Sequence, residues 1–114
     1  MTPKQIRTAQ IAQITTCIAD YYKVQASHII DDTPRKAKGV MSARRLLCYH
    51  LHKCGMGYDM LSKLLKRDVH TVRNYTTEGF NLVIGGMRDF VDELPKVTTT
   101  LEIKAVSQPT GKTD

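Results

Sequence analysis

Apolar residues recur along this chain mainly in steps of three and four, without sustained alternation, and that pattern predicts helices. Ile6, Ile14, Ile18, Tyr21 and Tyr22 follow near-helical spacing behind Thr2 and Pro3. With a capping residue and a proline suited to a first helical position, they predict a helix over 3–23. A short second helix over 26–30 turns Ile29 and Ile30 inward and stops before Asp31-Asp32-Thr33-Pro34. Leu46, Leu47 and Leu51 define a third from Val40 to Lys53, closed by Gly55. Tyr58 to Leu65 forms a fourth, and Asp68 stands where a fifth, beginning at Val69, needs an N-cap acceptor. In that fifth helix the stripe expected to pack inward is Val69, Val72, Thr76, Phe80, Val83 and Met87. Gly85-Gly86 is expected to bend or break it, because each glycine in a helix costs about 1 kcal/mol relative to alanine. Pro95 ends any helix beyond that break.

The chain has 114 residues, of which 41% are apolar, enough for one core. The expectation is an all-α, compact bundle of about five to six helices over residues 1–94. A tail over 95–114, rich in Thr, Lys, Ser and Pro, is expected to be flexible or partly extended, with only Leu101-Glu102-Ile103 suggesting an extended piece. No apolar run approaches the roughly 18 to 20 residues of a membrane span, and the polar start Met1 to Gln5 has no secretory core. A soluble, cytoplasmic chain with no membrane partner is expected, nucleoid-associated in a bacterial cell or a phage-infected host. Cys17, Cys48 and Cys54 are odd in number and read as reduced, mostly buried thiols.

Charge sharpens this picture. The formal net charge is +6, and between Thr33 and Asn74 ten basic residues face two acidic ones. The rest of the chain has seven basic and nine acidic residues. Such concentration is what one face meeting a polyanion requires.

Within the basic stretch, Leu61 to Tyr75 reads as a helix, a tight turn and a capped second helix, the pattern of a helix-turn-helix. Leu61, Leu65 and Val72 take the positions where two such helices touch, and small Ser62 is expected at their close crossing. His70, Arg73, Asn74 and Thr77, at i, i+3, i+4 and i+7, then share the outward face. Arg grips guanine O6 and N7, Asn pairs with adenine, and Thr meets a thymine methyl or a phosphate. Each good bidentate contact is worth about 1 to 3 kcal/mol of discrimination. Arg44, Arg45, Lys63, Lys66 and Arg67 are candidate phosphate contacts, which position a protein without specifying sequence. Lys66 replaces the usual turn glycine and is expected to bear about 1 kcal/mol of left-handed strain. Tyr58 and Tyr75 suit either a phosphate hydrogen bond or packing, and packing is favoured for Tyr75.

Over about residues 8 to 83 the chain resembles the DNA-binding C-terminal domain (domain IV) of the bacterial replication initiator DnaA, a TrpR-like helix-turn-helix. The matching pieces are Ile18-Ala19-Asp20-Tyr21-Tyr22-Lys23-Val24, the Ile29-Ile30 pair, the basic loop after Pro34, and Arg67-Asp68-Val69-His70-Thr71-Val72. The last is similar to that family's Arg-Asp-His-Thr-Thr-Val signature. The resemblance implies that Arg35, Lys36 or Lys38 enters the minor groove, while Asp68, Val69, His70 and Thr71 read bases in the major groove. Val69 and His70 stand where the signature carries His and Thr, so docking geometry is expected to be kept and the bases read to differ. The resemblance does not extend to ATP hydrolysis. Gly111-Lys112-Thr113 ends like a phosphate loop, yet the glycine required five positions earlier is Val106.

Other chemistry finds little footing. Cys48, His50, His52 and Cys54 are potential metal ligands, but on a helix only Cys48/His52 and His50/Cys54 share faces, and those faces diverge. Asp20, Asp31 and Asp32 have no evident acid-base partner. No catalytic residue, metal or cofactor is expected. The pattern points to sequence-specific binding of double-stranded DNA in replication initiation or its control, on a phage or other mobile element, with replication or transcription proteins as further partners. Oligomeric state is left open. A transcriptional repressor uses the same chemistry, and an adaptor that docks a protein through Phe80 to Ile84 and the tail is the alternative of a different class.

Overall fold

The computed structural model describes residues 2–30 and 39–97, and among these the regular elements are all helices, without a strand. The order is α1 (Pro3–Tyr22), α2 (Ala26–Ile30), α3 (Val40–Lys53), α4 (Tyr58–Leu65), α5 (Val69–Leu82), a π-helical turn (Val83–Met87) and α6 (Arg88–Asp92). The basic loop residues Arg35, Lys36 and Lys38 lie outside the described residues, as does the tail from 98 onward.

Local chemistry accounts for the boundaries. Thr2 and Gln5 form a reciprocal capping box around Pro3, satisfying amides that a helix start leaves without partners. α1 and α4 end on lysines, Lys23 and Lys66, in the left-handed conformation at φ 58° and 56°. The strain of a Cβ there is partly offset by placing a cation at the negative end of the helix dipole. Gly55 comes after α3 with φ 112°. The predicted break falls at Gly86, whose φ of 135° interrupts the π-helical turn and redirects the chain into α6.

α3 is the centre of the bundle, packing against α1, α2, α4 and α5, most extensively against α5. The core comprises Ile14 and Ile18 of α1, Ile29 of α2, Leu46, Leu47 and Leu51 of α3, Leu61 and Leu65 of α4, and Val72 of α5, all fully buried. Burying side chains of this size contributes roughly 1.5 to 3 kcal/mol each. α3 and α5 approach closely at Gly79, where a Cβ would collide with the Arg45 carbonyl oxygen and lie 2.7 Å from the Tyr49 Cβ. Ser62, half-buried in the α4–α5 hairpin, donates its hydroxyl to the Arg67 carbonyl and pins the turn after α4.

Two expectations about facing are corrected. Phe80 is 48% exposed, because α5 turns Val72, Tyr75, Thr76 and Gly79 toward α3 and the stripe runs through the glycine. Tyr21 also lies at the surface, its ring 4.6 Å from that of Phe90, which packs α6 against the end of α1. Residues 95–97 do not leave the body. His50 Nε2 donates to the Pro95 carbonyl oxygen at 2.7 Å, and Val97 is buried. Burial holds the His50 pKa below its ordinary value, so the neutral ring fastens this segment.

Candidate nucleic-acid interface

The segment from Leu61 to Tyr75 folds as a helix, a short turn and a capped helix. The turn is closed from both sides: the Arg67 amide donates to the Ser62 carbonyl oxygen at 3.1 Å, and the Ser62 hydroxyl returns to the Arg67 carbonyl. Asp68 then starts α5, its carboxylate accepting the Thr71 amide at 2.7 Å. Bonds from the Thr71 amide and hydroxyl hold the Asp68 carboxyl below the usual carboxylate range, and the negative charge sits at the positive end of the helix. Asp68, assigned to base reading by resemblance, is thereby committed to capping. Val69 and Thr71 beside it are half-buried.

His70, Arg73, Asn74 and Thr77 are all exposed along one side of α5, while Val72, Tyr75, Thr76 and Gly79 are buried on the other. The Thr77 hydroxyl donates to the Arg73 carbonyl oxygen at 3.2 Å. The Arg73 guanidinium carbon lies 5.3 Å from the centre of the Tyr58 ring, which in turn stacks on His52. The face therefore offers hydrogen-bond donors from Arg73, both kinds of group from Asn74, and an imidazole in the first turn of a capped helix.

The five candidate phosphate contacts separate into different environments. Lys63 and Lys66 are exposed, and Arg67 is half-buried beside the turn. Arg45 is ion-paired with Glu78 at 2.7 Å, so its charge is partly neutralised. Arg44 is only 2% exposed and cannot reach a phosphate. Its Nε donates to the Ile29 carbonyl oxygen at 2.9 Å and its Nη2 to that of His28 at 2.8 Å, with Nη1 3.3 Å from the Met41 sulfur. The side chain thus caps the C-terminal carbonyls of α2 and ties that helix to α3, just before residues 31–38 begin.

Compared with family models, with curated proteins and with solved structures, the chain matches none.

Among the potential metal ligands of α3, burial pushes the Cys48 thiol up to about 12, His52 Nδ1 donates to the Met56 carbonyl oxygen, and His50 is fastened to Pro95. Cys54 Sγ is 3.8 Å from His50 Nε2. No three His, Cys, Asp or Glu side chains gather as a metal set among the described residues. Among the same residues, no helix is long and apolar enough to cross a membrane.

Three features escaped sequence reasoning for different reasons. Helical phase already places Arg44 three and seven residues before Leu47 and Leu51, on the inner face, but its charge argued for solvent. Gly79, inside a helical stretch, carried the usual sign of close backbone approach. The meeting of His52, Tyr58 and Arg73 left no local signal, since it joins three helices.

Proposed function

We propose that this chain is a sequence-specific double-stranded DNA-binding protein, with α5 as the helix that reads the major groove. The observation that carries the reading is the division of α5. Its first turn is capped by Asp68, its inner side packs on α3, and its outer side presents His70, Arg73, Asn74 and Thr77 together to solvent. A rigid helix with that inventory is suited to base edges. Lys63 and Lys66 flank the same hairpin as phosphate contacts, and Arg67 is placed beside the turn between its helices. Arg35, Lys36 and Lys38, outside the described residues, are assigned to the minor groove or backbone by the family resemblance alone. A role in replication initiation or its control rests on that resemblance too.

Selection from a pool of random duplexes tests the reading, followed by affinity against salt on the selected site and on a shuffled one. Log affinity is expected to fall by roughly 0.9 per log unit of salt for each neutralised phosphate. Arg73→Ala is expected to reduce preference for the selected site by about tenfold or more, whereas Lys66→Ala weakens both duplexes alike. Equal losses from both variants on both duplexes would sink the base-reading assignment.

A second reading, protein docking, is favoured by one observation. Phe80 and Ile84 are 48% and 57% exposed, and Phe80 lines an open depression of about 360 Å³ together with Tyr49, His52, Lys53, Thr76 and Thr77. Affinity for duplexes that is absent or insensitive to salt would favour it.

A further inference from the structure

We propose that Tyr58 is a positioning residue that holds the Arg73 guanidinium ready for a base, a role that rests on the DNA-binding reading above. Tyr58 opens α4, Arg73 lies in the second turn of α5, and His52 is near the end of α3. The three side chains meet on the Tyr58 ring. His52 stacks on it with centroids 4.5 Å apart and planes 10° apart, and the Arg73 guanidinium carbon is 5.3 Å from its centroid. His52 is itself fixed by the 2.9 Å bond from Nδ1 to the Met56 carbonyl oxygen, so the ring rests on a support anchored in the backbone after α3.

The arrangement fits readout because of how a guanidinium is built. Its π face stacks on an aromatic ring, while its N–H donors lie in its own plane and stay available to the edge of a base. An exposed arginine has many rotamers and loses that freedom when it grips a guanine; one already leaning on a ring has lost part of it beforehand. An exposed cation–π contact is worth about a two- to fivefold factor, which sets the size of the effect. Tyr58 thus acts through Arg73 and need not touch DNA itself.

The test compares wild type, Tyr58→Leu, Tyr58→Phe, Arg73→Ala and the Arg73→Ala/Tyr58→Leu double variant on two probes: the duplex selected from the random pool and a shuffled duplex of equal length and composition. Tyr58→Leu is expected to lower the ratio of affinities about two- to fivefold, Tyr58→Phe to restore it, and Tyr58→Leu to have no further effect once Arg73 is alanine. Without DNA, the Arg73 Nε–H proton resonance is expected upfield of solvent-exposed arginines in wild type and Tyr58→Phe, and to lose that ring-current shift in Tyr58→Leu. Tyr58→Met serves as the ring-free variant if thermal melting shows Tyr58→Leu to be poorly folded. An unchanged ratio in the ring-free variant, or a loss that persists in the Arg73→Ala background, overturns the positioning role and leaves the DNA reading intact. So does a wild-type Arg73 resonance with no ring-current shift. A wild-type chain that prefers no duplex overturns both, and is recognised before any variant is measured.

Discussion

Two regions of this molecule carry arginines of the same basic stretch and use them oppositely. At the junction of α2 and α3, Arg44 is turned inward and its donors satisfy the carbonyls of His28 and Ile29. In the α4–α5 hairpin, Arg73 is turned outward and exposed among the described residues, with its guanidinium over Tyr58. The first is a structural cation and the second is available to a partner. The lesson is that an excess of charge along a sequence measures how much positive charge is present, while helical phase and neighbouring backbone decide how much of it reaches the surface.

The sharpest way to break the comparison is to exchange stability for binding at each end. Arg44→Ala removes two charge-assisted hydrogen bonds from buried carbonyls and is expected to destabilise by about 3 kcal/mol or more. That corresponds to a fall in Tm of more than about 10 °C in thermal melts of a domain this size. Arg73→Ala should leave Tm nearly unchanged. If the two variants melt alike, the division between inward and outward arginines is wrong.

Next in size is the contact that locks the reading helix. Gly79→Ala forces α3 and α5 apart against the Arg45 backbone, and a loss of about 2 kcal/mol is expected from overpacking. Gly85→Ala, with nothing within 4 Å of its new Cβ, is the control and should be neutral or slightly stabilising. Urea unfolding of both variants checks the pair.

A smaller effect connects the turn with binding. Lys66→Gly relieves a left-handed side chain and should raise stability by about 1 kcal/mol, while lowering the salt slope on any duplex by roughly one phosphate equivalent. A gain in stability with an unchanged salt slope would remove Lys66 from the phosphate contacts.

The last prediction concerns the C-terminal segment. The His50 pKa is lowered in the folded chain, so the unfolded chain takes up the proton first as pH falls. Stability from this group is complete above the ordinary histidine value of 6.5 and declines as pH drops below it toward the folded pKa. Melting curves on both sides of that value should show the decline in wild type and a flatter response in His50→Gln, whose amide can still donate to Pro95.

Most helix positions, the capping roles of Thr2 and Asp68 and the turn at Lys66 were legible in the sequence because their causes are local. Thr2 with Gln5, Asp68 with Thr71, and the left-handed Lys66 each act within a few residues, so reading along the chain placed α2 through α4 and the start of α5 as they stand. The outward set His70, Arg73, Asn74 and Thr77 came from the same periodicity. What only the tertiary structure decided is which partner each face meets. Arg44 is buried because α2 ends against it, Gly79 is required because α3 crosses there, and Phe80 is left outside because that crossing turns α5 toward the glycine. Arg73 leans on Tyr58 because the hairpin returns α5 to the start of α4. Hydrogen bonds within one turn are fixed by spacing along the chain, whereas contacts between helices depend on how several stripes are buried at once, and no single segment contains that information.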